Sequence, residues 1–347
     1  MPTTDIPGID HDRVSDWLVT HVPGATAPFD FVLIEGGRSN LTYRVTGGDG
    51  TRYVLRRPPL GHVLATAHDM AREHRIISAV GSTGVPVPTT LGLCSDDDVN
   101  GAPFYVMSFV DGVVLDSPDL GATVPAATRV SLSHHLIDVL ADLHAVDVDA
   151  VGLGDLARRD GYVERQLRRW TTQWEKSKTR ELPVVDEVAR TLAAGIPTQQ
   201  DACIAHGDFR FGNCLVDVAG EQVAAVLDWE LCTLGDPLAD LGYLGVYWAG
   251  PDGVSRPNDP TGAGGYPSHD ALVERYAERT GRDVSRIDYY VAFSAFRLAV
   301  ISEGVYARYV NGAMGDDIES SMLEHFRTGV EELSVSALER LRRGSRR

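Results

Sequence analysis

The sequence predicts an α+β chain in two lobes, with a five-stranded antiparallel sheet first and a mostly helical remainder. Three observations carry this. Between Phe31 and Phe109, short apolar runs alternate with turns rich in Gly, Asp and Pro, the pattern of strands joined by hairpins. From Thr128 onward, apolar residues recur at helical spacing. Between helical segments lies His206-Gly207-Asp208-Phe209-Arg210-Phe211-Gly212-Asn213, and soon after it Val226-Leu227-Asp228-Trp229-Glu230. At 347 residues, 43% of them hydrophobic, the chain is long enough for two lobes with ample core.

A helix over His11–Val22 forms an amino-terminal extension, residues 1–24, ahead of a first lobe over 25–110. Phe31–Glu35, Leu41–Val45 and Arg52–Arg56 read as strands. Gly36-Gly37-Arg38-Ser39-Asn40 and Gly47-Gly48-Asp49-Gly50 read as the turns between them. A glycine-rich turn between strands lets backbone N–H groups close over phosphates, so Gly37, Ser39 and Asn40 are candidate nucleotide contacts. Thr66–Val80 is helical in pattern, with Met70, Glu73, Ile77 and Val80 on one face. A carboxylate on an apolar face needs a cation, and Arg56 is the candidate partner for Glu73. Thr90–Cys94 and Phe104–Phe109 complete the sheet, separated by the polar turn Ser95–Gly101. The strand end Met107-Ser108-Phe109-Val110 before Asp111-Gly112 suits a hinge, where the backbone of Ser108 and Val110 could meet a purine edge.

Residues 111–347 form the helical lobe. Thr128–Val146 buries Leu132, Leu136, Leu140 and Leu143, and its His134, His135 and His144 read as surface or packing residues. Tyr162–Lys178 places Val163, Leu167, Trp170 and Trp174 on one side, expected in the core, with Arg165, Arg168 and Arg169 expected on a solvated face. Asp236 before Pro237 reads as a helix cap followed by a first turn. The Gly-, Pro- and Asp-rich stretch Trp248–Tyr266 is long for a connection and suits a lid or acceptor loop. Helical patterns near His269–Arg279, Ile287–Val310 and Ile318–Arg342 follow, and the basic end Arg340–Arg347 reads as a frayed terminus.

Asp208 follows the apolar Ala202–Ala205 in a turn, where a carboxylate can point into a cleft. Asn213 opens the strand Cys214-Leu215-Val216. A turn containing Gly220 then lets Val223–Leu227 return and deliver Asp228 close to Asn213. An amide and a carboxylate brought together beside a third acid make a hard-cation site with room for phosphate oxygens and water.

A net charge of −17 argues against a non-specific nucleic-acid binder, though not against an anionic ligand in a local basic pocket. Cys94, Cys203, Cys214 and Cys232 have neither C-x-x-C nor metal-type spacing and read as buried thiols of a reducing compartment. No apolar run reaches membrane-spanning length, and the polar, acidic start is unlike a leader. The expectation is a cytoplasmic enzyme, monomer or homodimer, without a nucleic-acid or membrane partner.

The H-x-D-x-x-x-x-N spacing is that of protein kinase catalytic loops. With Asp228 and Gly235-Asp236-Pro237…Asp240, the chain resembles the aminoglycoside phosphotransferase family, a small-molecule branch of the kinase-like fold. Val54–Pro59 and Leu227–Glu230 resemble most the subgroup also found fused to acyl-CoA dehydrogenases. The resemblance covers roughly residues 25 to 330. It implies a five-stranded lobe, a hinge and a helical lobe with ATP (or GTP) between them. It also implies His206 and Asp208 as catalytic residues, Asn213 and Asp228 as Mg²⁺ ligands, and Arg56 and Glu73 as the pair that positions phosphates. Arg56 departs from the lysine most kinases place there, keeping the charge with a forked, bulkier donor. The implied reaction is phosphorylation of a small-molecule hydroxyl, on a hydroxyacyl-CoA or other lipophilic metabolite. The alternatives are an aminoglycoside or macrolide kinase and a nucleotide-binding pseudokinase scaffold.

Overall fold

The computed structural model describes residues 6–34, 40–60, 69–251, 258–312 and 320–344. The chain divides into two compact units. The first comprises Met1–Val114, Asp149–Leu153 and Asn213–Cys232, and the second comprises Leu115–Val148, Gly154–Gly212 and Thr233–Arg347.

The first unit is built on the expected sheet. Strands β1 (Asp30–Leu33), β2 (Leu41–Thr46), β3 (Arg52–Arg57), β4 (Thr90–Cys94) and β5 (Phe104–Ser108) run antiparallel in the order β1-β2-β3-β5-β4. Strand alternation sorts β3 into two faces. Tyr53 and Leu55 join Tyr43, Val45, Phe104 and Val106 in a core closed by Val14, Trp17 and Leu18 of helix α1 (His11–His21). Val54 and Arg56 face the other way, beside Tyr105 and Met107, and line a cavity. Adjacent arginines therefore serve opposite faces: buried Arg57 donates to the Asn100 carbonyl at 3.2 Å on the α1 side. Helix α2 (Met70–Gly81) is capped by Asp69, whose side chain accepts from Arg72 N–H, and it buries Met70, Glu73, Ile76, Ile77 and Val80. The turn expected at 95–101 holds a short helix, Asp97–Asn100.

The second unit is helical apart from a two-stranded pairing of Cys203–Ala205 with Thr233–Gly235. Its central helix, Ile287–Val310, is buried along most of its length and packs against Pro237–Val246, Tyr162–Ser177 and Ser320–Gly344. Two helices lie where no helix was read in the sequence, Pro118–Thr123 and Pro183–Ala194, each with proline in its first turn. Two expectations need correction. Trp174 is buried, but Trp170 is only half-buried, its ring covered by Arg169 and Arg297. The basic end is not frayed as far as Gly344: the last helix reaches that residue, and Arg340 pairs with Asp288 at 3.1 Å. In the stretch read as a lid, 252–257 lie outside the described residues, and the flanking Trp248 and Tyr266 are buried against Phe211.

All four cysteines are free and buried. No helix among the described residues is long and apolar enough to cross a membrane.

Buried His269 makes folding sensitive to acid. Its ring packs against Gly245, where a Cβ would sit 2.7 Å away, and its Nε2 donates to the Leu241 carbonyl at 3.1 Å. Burial pushes its pKa down to about 4. The ring is neutral in the folded chain, whereas the unfolded chain takes a proton below about 6.5. The stability this contributes is present above pH 6.5 and is lost as pH falls towards 4, in total about 3 kcal/mol. Denaturant titrations at pH 7 and pH 4 should show a smaller loss in His269→Gln than in wild type. Parallel losses would contradict this assignment.

Candidate active site

In the first unit, three charged side chains meet at one end of the cavity, which has a volume of about 310 Å³. Arg56 Nε lies 3.2 Å from Glu73 Oε1, and Arg56 Nη2 lies 2.7 Å from Asp228 Oδ1 and 3.9 Å from Glu230 Oε2. The forked guanidinium thus reaches two carboxylates at once, which a lysine ammonium reaches less readily. Arg56 is only 13% exposed and Glu73 3%. Burial works against the Arg56 charge, but Glu73, Tyr105 and Asp228 outweigh it and drive its pKa up. Burial pushes the Glu73 carboxyl up, opposed by Arg56. Tyr105, opposite Arg56 in the β3–β5 register, gives Glu73 a hydrogen bond, and its phenol is raised well above the usual range by burial and by that carboxylate.

Removing this cation leaves a buried carboxylate uncompensated. Arg56→Ala is expected to cost about 3–5 kcal/mol of unfolding free energy. Adding Glu73→Gln should return part of it in a double-mutant cycle. A loss under about 1 kcal/mol in chemical denaturation would mean that the pair bears little of the unit's stability.

The hairpin does what the sequence reading asked of it. Cys214–Asp217 pairs with Gln222–Val226, and Asp217 Oδ1 accepts from Gly220 N–H at 2.9 Å in the turn. Leu227 N–H donates to the Asn213 carbonyl at 2.8 Å, so Asn213 and Asp228 leave neighbouring strand ends. Asp228 is held at φ 64°, ψ 63°. A non-glycine residue there is unusual and worth a functional hypothesis. Asn40 Nδ2 donates to Glu230 Oε2 at 3.5 Å, while Gly37 and Ser39 lie outside the described residues. Ser108 and Val110 both line the cavity, and the sheet ladder ends at Ser108.

In the second unit, the loop His206–Arg210 hangs from one carboxylate. Asp240 accepts from His206 N–H at 2.7 Å and from Gly207 N–H at 2.8 Å. Gly207 sits at φ 85°, open to glycine at little strain. His144, fully buried, stands 3.2 Å from Asp240 and 2.7 Å from the Tyr276 hydroxyl. Its partners set the tautomer: Nε2–H donates to Asp240, and Nδ1 accepts from Tyr276. Burial pushes His144 down, against the pull of Asp240. Burial pushes Asp240 up, but His144, His206 and the loop N–H groups outweigh it and hold the carboxyl low. His206 is itself fully buried, and its Nδ1 accepts from Asp208 N–H at 3.3 Å. Asp208 is partly exposed, with Arg210 Nε 3.5 Å from its Oδ1. Asp236 caps Pro237–Val246 as expected and also accepts from the Tyr290 hydroxyl at 2.7 Å.

The sequence alone gives Asp240 no task beyond its motif; its position four residues after Asp236 on one helix is the available signal. Tyr105 and Arg210 carry no sequence signal, because their contacts with Glu73 and Asp208 arise from the folded neighbours of strand and loop.

Residues 30–289 match the model of the phosphotransferase enzyme family. Acyl-CoA dehydrogenase family member 10 of Mus musculus is 35% identical over 301 residues, covering 85% of this chain and 28% of that protein. Family member 11 of Rattus norvegicus is 34% identical over 306 residues, covering 85% and 39%. The chain thus spans about a quarter to two fifths of the length of these relatives. A crystal structure from Ralstonia eutropha JMP134, provisionally named an aminoglycoside phosphotransferase, superposes with a TM-score of 0.81 at 32% identity, covering 95% of this chain and 98% of that one. The chain belongs to the phosphotransferase enzyme family and has a kinase-like α+β fold.

Proposed function

We propose that the chain transfers the γ-phosphoryl group of ATP, with Mg²⁺, to a hydroxyl of a hydroxylated acyl compound, such as a hydroxyacyl-CoA. The observation that carries this is the first unit's cavity, apolar along its walls and charged at one end, where Arg56, Glu73 and Asp228 meet. Its volume is in the range of small-ligand sites. The apolar walls suit a purine, the backbone of Ser108 and Val110 its polar edge, and Arg56 the phosphates.

The donor set fits Mg²⁺. Among the described residues no group of three or more His, Cys, Asp or Glu gathers to cage a metal, and Mg²⁺ characteristically takes one or two protein oxygens plus phosphates and water. Asp228 and Asn213 would hold it. Bound there, the ion supplies neutralisation of charge on the phosphate oxygens. Asp208 orients the acceptor hydroxyl and takes its proton as the new O–P bond forms and the γ-phosphorus–oxygen bond to the departing ADP breaks. His206 positions that carboxylate through its hydrogen bond to the Asp208 N–H, and Asp240 fixes the loop beneath both.

The acyl acceptor is supported by the relatives, whose names are those of acyl-CoA dehydrogenases. Transfer of label from γ-labelled ATP or GTP should be measured against hydroxyacyl-CoA thioesters, free hydroxy acids and an aminoglycoside. The expected result is labelled thioester and unlabelled aminoglycoside. Efficient labelling of the aminoglycoside, with none of any thioester, would reverse the acceptor assignment.

A further inference from the structure

Arg297, on the central helix of the second unit, has no ion-pair partner among the described residues, unlike other arginines that meet this helix. Arg180 on the same unit pairs with Glu303 at 3.0 Å, and Arg340 with Asp288 at 3.1 Å. Arg297 spends Nη1 on the Gly207 carbonyl at 2.8 Å, the residue before Asp208. Its guanidinium carbon lies 4.8 Å from the Tyr243 ring centre and 5.6 Å from that of Trp170. Nε is buried without an acceptor. Nη2 makes no hydrogen bond to the described residues, yet it is not sealed off.

Further donors nearby are buried without acceptors. Arg210 lies over the Tyr247 ring at 4.9 Å, with Nη1 buried and lacking an acceptor, and Trp170 Nε1 is in the same state. Arg210 has Asp208 as its counter-ion, with Nε 3.5 Å from Oδ1, whereas Arg297 has no ion-pair partner among the described residues. Part-buried cations are costly without a compensating anion. Fixed between rings, a guanidinium is pre-organised to grip an oxyanion.

We infer that Arg297 is the residue that selects the acceptor, by reading a negatively charged oxygen on the molecule whose hydroxyl is presented to Asp208. This rests on the transfer reading above and narrows it. A polyamine acceptor would bring ammonium groups against Arg297 and Arg210 and is rejected by like charge. The oxyanion comes either from a free carboxylate or from the phosphates of a CoA thioester.

The test is binding to the full chain without nucleotide, by saturation-transfer NMR, so that it is independent of whether ATP is used. The probes are 3-hydroxybutanoate, the matched amino alcohol 4-amino-2-butanol, and 3-hydroxybutanoyl-CoA. At least one anionic probe should bind about tenfold or more tightly than the amino alcohol, the gain of a charge-assisted hydrogen bond. Arg297→Gln should erase that preference, and Arg297→Lys should keep most of it, with unfolding temperatures reporting whether each variant is intact. Preference for the thioester alone assigns the oxyanion to the CoA phosphates, and preference for the free acid assigns it to the carboxylate. Equal or tighter binding of the amino alcohol, no binding of any probe, or an unchanged preference in a folded Arg297→Gln variant overturns the inference. A chain that selects the anion but transfers nothing from ATP would instead contradict only the proposed reaction.

Discussion

Asp208→Asn is expected to lower kcat for phosphoryl transfer by about 10²–10⁴-fold, the usual worth of a positioned general base. Asparagine keeps the size and the hydrogen-bonding reach of the side chain but cannot take a proton. The backbone beneath it is unaltered, since His206 and Gly207 bind Asp240 through main-chain N–H groups. The loss should therefore fall on kcat, with ATP affinity and unfolding temperature near wild type. Steady-state kinetics checks this directly. A variant within a few-fold of wild type would remove Asp208 from the chemistry.

The second large effect is structural. Asp240→Asn replaces a buried acceptor of two backbone N–H groups with a side chain that must present an amide N–H to one of its three partners. Hydrogen bonds to buried charges are worth about 1.5–3 kcal/mol each and are costly to leave unmade. The variant should lose on the order of 3 kcal/mol of unfolding free energy, with transfer falling alongside because the loop carrying Asp208 loses its support. Chemical denaturation measures the first and kinetics the second. Full stability with normal turnover would show that the loop holds its shape without this anchor.

Local pattern made most of the first unit legible. Turn residues bounded the strands, and the sheet emerged within a residue or two at each end of β1 to β5. The apolar face of α2 announced a buried Glu73 in need of a cation, and Arg56 supplies it at 3.2 Å. What stayed hidden was contact across long separations. That Arg56 also reaches Asp228, 172 residues away, follows from how the hairpin docks and not from any nearby spacing. His144 carried no local sign of its bond to Asp240, because a helix histidine beside leucines looks the same whether it faces a carboxylate or a methyl group. Trp170 was read into the core because helical spacing cannot tell a packed ring from one covered by arginines. Pro183–Ala194 went unread, although its first-turn proline was a usable start signal.

Calorimetric titration of Mg²⁺-ATP, with GTP as the alternative nucleotide, tests the proposed nucleotide site most directly. Wild type should show one saturable site per chain. Asp208→Asn should keep it, and Asp228→Ala should weaken it by about tenfold or more, with the weakening confined to titrations that contain Mg²⁺. Failure of wild type to bind either nucleotide, or an Asp228→Ala variant that binds Mg²⁺-ATP as wild type does, would contradict a nucleotide site built on Arg56, Glu73 and Asp228.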